Sequence, residues 1–119
     1  MTGENIAVNR IREILLVTLP PDPEDETITE LQEKVLRAMT KYNSKGVILD
    51  ISVVQTLDSF FARTLSETSK MVALMGGKTV VAGMQANVAI TATQLGLTLE
   101  DIETSMDVDV ALDIMEKIS

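Results

Sequence analysis

Asp50, Asp58 and Ser59 are the residues of this chain whose types and spacing could do chemistry. Paired carboxylates can hold a divalent cation for phosphoryl transfer, and a serine beside an acid can accept a phosphate from another enzyme. No histidine and no cysteine occur. That removes Ser-His-Asp triads, imidazole acid–base chemistry, thiolate nucleophiles, disulfides and Cys/His zinc sites.

Asp50 lies near the end of the apolar run Gly46-Val47-Ile48-Leu49-Asp50-Ile51, which is bounded by turn-prone Asn43-Ser44-Lys45 and by Ser52. Such a run reads as a buried strand. Asp58-Ser59-Phe60-Phe61 then opens an amphipathic helix carried by Leu57, Phe60, Phe61, Leu65, Val72 and Met75. Ser59 thereby falls at a helix N-terminus on the rim of a sheet, where free N–H groups and the helix dipole favour negative charge. Asp and Ser are also preferred N-cap residues, worth ~1 kcal/mol for satisfying those N–H groups. On spacing alone, capping and phosphorylation both stand.

Three other motifs carry less. A receiver-type site on Asp50 and Asp58 needs acids ending an early strand and a lysine ending a later one, where this chain has Leu19-Pro20 and Val81-Ala82-Gly83. Asp107-x-Asp109-x-x-x-Asp113 resembles part of a calcium loop, but Leu112 and Ile118 occupy the required glycine and glutamate positions. Acids in the first turn of a helix complement its dipole, which accounts for Asp107 and Asp109. Gly76-Gly77-Lys78-Thr79 leads into a strand and reads as a helix stop rather than a phosphate loop. No metal or cofactor is expected. A competing class, a flavodoxin-like enzyme binding a small anion or nucleotide at the strand ends, has no general base beyond Asp50 and Asp58.

The elements that must position these residues follow from periodicity. Ile14 to Leu19 is an early strand, and Ile6-Ala7-Val8 can pair with it across a turn at Asn9-Arg10. Pro20-Pro21-Asp22-Pro23 stops it. Ile28, Leu31, Val35, Ala38, Met39 and Tyr42 mark one face of a helix, with Thr27 and Glu30 at capping-box spacing and Asn43 at its end. Lys78 to Gly83 is a further strand, Ala86 to Leu95 a short helix closed by Gly96, and Ile102-Glu103-Thr104 a weakly signalled last strand. Val108, Ala111, Leu112, Met115 and Ile118 line a final helix. Alternating strands and helices with short turns imply an α/β fold: a mixed, mostly parallel sheet of four to five strands with about four helices.

At 119 residues and 45% hydrophobic content, the chain is expected to form one domain, 1–119, with an aliphatic core. Net charge is −8; six acids and no base fall between Asp22 and Glu33, and seven acids and no base between Glu100 and Glu116. Such a surface repels nucleic acids and anionic lipids. No apolar run approaches the ~20 residues of a membrane helix, and a cytoplasmic location is expected.

Gly46-Val-Ile-Leu-Asp-Ile-Ser52 followed by Thr56-Leu-Asp-Ser-Phe60 resembles the signature of the STAS domain, the fold of anti-sigma-factor antagonists. Leu74 to Gln85 and Gln94-Leu-Gly-Leu97 extend the similarity over nearly the whole chain. Ordinary antagonists carry Asp-Ser-Ser-Gly here. Phe60-Phe61-Ala62-Arg63 after Ser59 is closer to the RsbS-type branch, the stressosome subunits. The resemblance implies phosphorylation of Ser59 by an RsbT-type serine kinase and its reversal by an RsbX-type phosphatase. It also implies RsbR-type STAS co-antagonists and self-association as a dimer and within a large assembly, in which the unphosphorylated form sequesters the kinase. The surface around Ser59, with Asp58, Phe60, Phe61 and Arg63, would be the docking surface. A direct anti-sigma-factor antagonist that binds an anti-sigma kinase shares this chemistry and differs only in partner.

Overall fold

The apolar runs and helical stripes resolve into nine elements in a computed structural model that describes residues 6–96 and 102–117. In chain order they are β1 (Ala7–Ile11), β2 (Ile14–Thr18), α1 (Asp25–Tyr42), β3 (Gly46–Asp50), α2 (Ser59–Leu74), β4 (Lys78–Ala82), α3 (Ala86–Gln94), β5 (Glu103–Ser105) and α4 (Val108–Lys117). The strands lie in the order β1-β2-β3-β4-β5; β1 is antiparallel to β2 and the remaining pairs are parallel. The parallel strands therefore all end along one edge, where ligand and partner sites of α/β sheets gather.

Burial explains why the strands differ in composition. From Gly46 to Leu49 every residue of β3 is buried, because helices cover it on both faces. On one face Leu15, Val17, Val47, Leu49 and Val81 meet Ile28, Leu31 and Val35 of α1, Phe61, Leu65 and Val72 of α2, and Val88 and Ala92 of α3. On the other face Ile48, Val80 and Ala82 meet Ala111 and Met115 of α4. In β2, Leu15 and Val17 are buried while Ile14, Leu16 and Thr18 stay partly exposed, the alternation of a strand with one well-covered face.

Two local expectations are corrected. The β1–β2 turn lies at Arg12-Glu13, not Asn9-Arg10: Asn9 and Arg10 pair with Leu16 and Leu15, and Arg12 takes the left-handed turn conformation at φ 57°. An ion pair from Arg12 to Glu116 and another from Lys45 to Glu13 hold that turn against α4 and the start of β3. Helix α1 starts at Asp25 with Glu24 as its cap residue, so Thr27 is not an N-cap; it is buried, and the first helical bond runs from the Ile28 N–H to the Glu24 carbonyl. Asp25 and Glu26 supply the favourable charge at that end.

The stops fall where expected. Asn43 adopts the left-handed cap conformation after α1, and Gly76 does so after α2 with φ +89°. A Cβ at Gly77 would approach the Met39 Cε to 2.7 Å and the Val72 Cγ1 to 3.0 Å, so a side chain there would require the neighbouring core side chains to shift. Tyr42 and Met75, expected on inward faces, are substantially exposed at the helix ends. Leu97, Glu100 and Ile118 lie outside the described residues.

Candidate functional site

The strand ends converge on the segment from Ile51 to Asp58. It leaves β3 with the Ile51 N–H donating to the Ala82 carbonyl of the neighbouring strand, 3.0 Å. The Asp50 carboxylate then turns the chain by accepting from the Ser52 N–H, 3.0 Å, and the Val54 N–H donates to the Ile51 carbonyl. Ile51, Val54 and Leu57 are buried while Ser52, Val53, Gln55 and Thr56 are exposed, so every third residue pins the loop to the core.

Its exposed backbone is tied down from both sides. From the β2–α1 connection, the Pro21 carbonyl accepts from the Gln55 N–H at 2.8 Å, and the Asp22 carboxylate accepts from the Thr56 hydroxyl at 2.6 Å. From the start of α3, the Gln85 amide donates to the Ser52 carbonyl at 2.9 Å and the Asn87 amide to the Gln55 carbonyl at 3.2 Å. Gly83, at φ +80°, lets β4 pass close to the loop; a Cβ there would come within 2.8 Å of the Ser52 Cβ. Sequence reasoning placed none of Asp22, Thr56, Gln85 or Asn87 at the site. Their partners lie more than 30 positions away, beyond the reach of any local pattern.

Asp58 caps α2: its carboxylate accepts from the Phe61 N–H at 2.8 Å, and its carbonyl accepts the first helical bond from the Ala62 N–H. Ser59 is the first residue of the helix and is exposed, and no acid sits in the first turn of α2. A hydroxyl thus stands beside the positive end of a helix that is capped by the Asp58 carboxylate. Both carboxylates named from the sequence, Asp50 and Asp58, hold backbone N–H groups. Among the described residues, no group of three or more acidic, histidine or cysteine side chains could hold a metal ion.

The two phenylalanines separate. Phe61, expected at the surface around Ser59, is 1% exposed and anchors α2 in the main core, so it lies beneath that surface rather than on it. Phe60, one position earlier and ~100° around the helix, is half-buried and keeps an edge at the surface. Arg63 is exposed one turn beyond Ser59 and, among the described residues, makes no ion pair with Asp58. A cavity of about 140 Å³ beside the site is lined by Asp22, Thr56, Leu57, Asp58 and Phe61. Asp107, from the calcium-like motif, accepts the Val110 N–H at 2.9 Å and caps α4.

Comparison with known proteins agrees with this geometry. The family model described as STAS domain matches residues 5–111. Among curated proteins, the RsbT co-antagonist protein RsbRA of Bacillus subtilis is 30% identical over 79 residues, which are 66% of this chain and 29% of that protein. This chain therefore spans less than a third of that relative's length. Among solved structures, RsbS of Moorella thermoacetica with a serine-to-glutamate substitution superposes with a TM-score of 0.84 at 27% identity, over 95% of this chain and 96% of that one. A chain from a structure of the stressosome, described as a signal integration and transduction hub, gives a TM-score of 0.76 at 27% identity, covering 94% and 97%.

Proposed function

This chain belongs to the STAS domain family, and we propose that it serves there as a non-catalytic, phospho-regulated antagonist subunit of a bacterial stress-signalling assembly. In this reading the unphosphorylated surface around Ser59 captures a switch serine kinase of the RsbT type. Phosphorylation of Ser59 releases the kinase, and an RsbX-type phosphatase resets the switch. RsbR-type co-antagonists and further copies of the chain complete the assembly. The observation that carries the reading is the placement of Ser59: exposed, first in α2, next to an engaged cap, and just after a loop anchored from two sides. The likeness to RsbS and to a stressosome chain supports it.

The chemistry balances simply. The Ser59 oxygen attacks the γ-phosphorus of ATP, an oxygen–phosphorus bond forms, the bond to the β-phosphate oxygen breaks, and ADP leaves. The hydroxyl proton passes to a base on the kinase. The product carries ~1.5–2 negative charges. At the helix N-terminus the dipole favours that charge by ~0.3–1 kcal/mol, and repulsion from Asp58 at a water-facing site is ~1 kcal/mol. These effects nearly cancel, so the fold is unchanged. At a docked surface the phosphate would be desolvated without a partner, at a cost of several kcal/mol. The modification blocks an interface rather than remodelling a domain.

Incubation with the cognate switch kinase and ATP, followed by mass spectrometry, tests the proposal. One phosphate on the peptide containing Ser59, lost in Ser59→Ala, supports it; phosphate elsewhere or none overturns it. Pull-down separates partners: a small switch kinase with larger STAS proteins is the expected catch, whereas an anti-sigma factor in their place indicates a direct anti-sigma-factor antagonist.

A further inference from the structure

We propose that an open groove between β1 and α1 receives the start of α4 from a second copy of this chain. The groove has a volume of about 310 Å³; Val8, Ala38 and Tyr42 form its apolar floor, and Lys34, Arg37 and Lys41 border it. The Arg10 guanidinium lies 4.8 Å and the Lys41 ammonium 5.2 Å from the centre of the Tyr42 ring. These cation–π contacts hold a ring that is 40% exposed. Four of the ten basic residues of a chain with net charge −8 gather here: Arg10, Lys34, Arg37 and Lys41. Elsewhere Arg12, Lys45 and Lys78 pair with carboxylates, but among the described residues no carboxylate pairs with Lys34, Arg37 or Lys41. An apolar floor with a cationic rim fits a partner that is apolar at its tip and acidic around it.

The start of α4 has that chemistry. Met106, in the bend just before α4, is 86% exposed; Val110, in the first turn of the helix, is 40% exposed, and Asp113 follows three positions on along the same helix face. Asp107 and Asp109 flank them and are also exposed. The other acidic stretch, Asp22 to Glu33, lacks such a tip, because its large apolar residues Ile28 and Leu31 are fully buried. Position matters as well. The groove sits at the β1 edge of the sheet, whereas α4 begins just after β5 at the opposite edge. A contact between opposite edges is head-to-tail, so repetition builds rings or open chains of subunits. Neither surface includes Ser59, so this inference stands or falls separately from the phosphorylation reading.

Sedimentation velocity of the full chain over a range of concentrations and salt tests it, using Lys34→Glu/Arg37→Glu for the groove and Asp109→Lys/Asp113→Lys for the helix. Wild type is expected to associate, and raising salt should weaken that association at least about tenfold by screening. Each double variant alone should lose the association while keeping its circular dichroism, since like charges then face one another. Mixing the two should restore it, because each supplies the charge the other lacks. Ser59→Ala should associate as wild type does. A wild type that stays monomeric, variants that associate normally, or a mixture that does not recover would each overturn the proposal.

Discussion

Helices α1 and α2 both begin at the strand-end edge of the sheet, yet their N-termini are furnished in opposite ways. The α1 terminus has two acids, Asp25 and Glu26, in its first turn and no side-chain cap bond. The α2 terminus has a side-chain cap from Asp58, no first-turn acid and an exposed Ser59. Both arrangements answer the same need, since a helix start presents unpaired N–H groups and a positive dipole end. In α1 the charge that answers it is permanent. In α2 one backbone group is satisfied and the position that would hold a fixed charge holds a hydroxyl instead. A negative charge can therefore be added at α2 without breaking anything already present. The proposed switch at Ser59 requires that difference.

Four measurements would break or sharpen this contrast. Phe61→Ala removes a fully buried ring beneath Ser59 and should cost about 3–5 kcal/mol in urea denaturation, whereas Phe60→Ala, on the half-buried side, should cost clearly less. Equal losses would mean that the site does not rest on one anchor. Next in size, Ser59→Asp should weaken kinase capture about a hundredfold or more, roughly 2.7 kcal/mol, with the melting temperature nearly unchanged. Calorimetric titration that finds wild-type affinity would remove Ser59 from the interface. Asp58→Ala should lower stability by about 1 kcal/mol through the lost cap, and faster amide exchange at Phe61 would locate the loss at that bond. Smallest of all, Asp25→Asn should cost about 0.3–1 kcal/mol at low salt and leave kinase capture untouched. An effect on capture would show that the α1 terminus belongs to the partner surface after all.

Much of the site was readable because the relevant signals are local. A run such as Val47-Ile48-Leu49 records burial on both faces, and Asp58-Ser59 ahead of Phe61 and Leu65 records where a helix starts. The Asn9-Arg10 turn and the Thr27 cap were misplaced for a related reason. Polar residues tolerated inside the edge strand β1 look like turn residues, and a hydroxyl buried in the first turn of α1 looks like a cap. In each case pairing or burial outweighed local preference.

The sequence by itself determined the alternation of strands and helices, the absence of His and Cys chemistry, and the position of Ser59 at the head of α2, because periodicity and capping act over a few residues. Only the tertiary structure decided that Phe61 is an anchor and Phe60 a surface edge, and that Asp50 serves a turn. It also decided that Asp22, Gln85 and Asn87 brace the loop before Ser59, and that cations of α1 line a groove at one edge while exposed acids of α4 stand at the other. Those outcomes depend on which distant backbone segments the parallel pairing brings together, and no short window of residues contains that information.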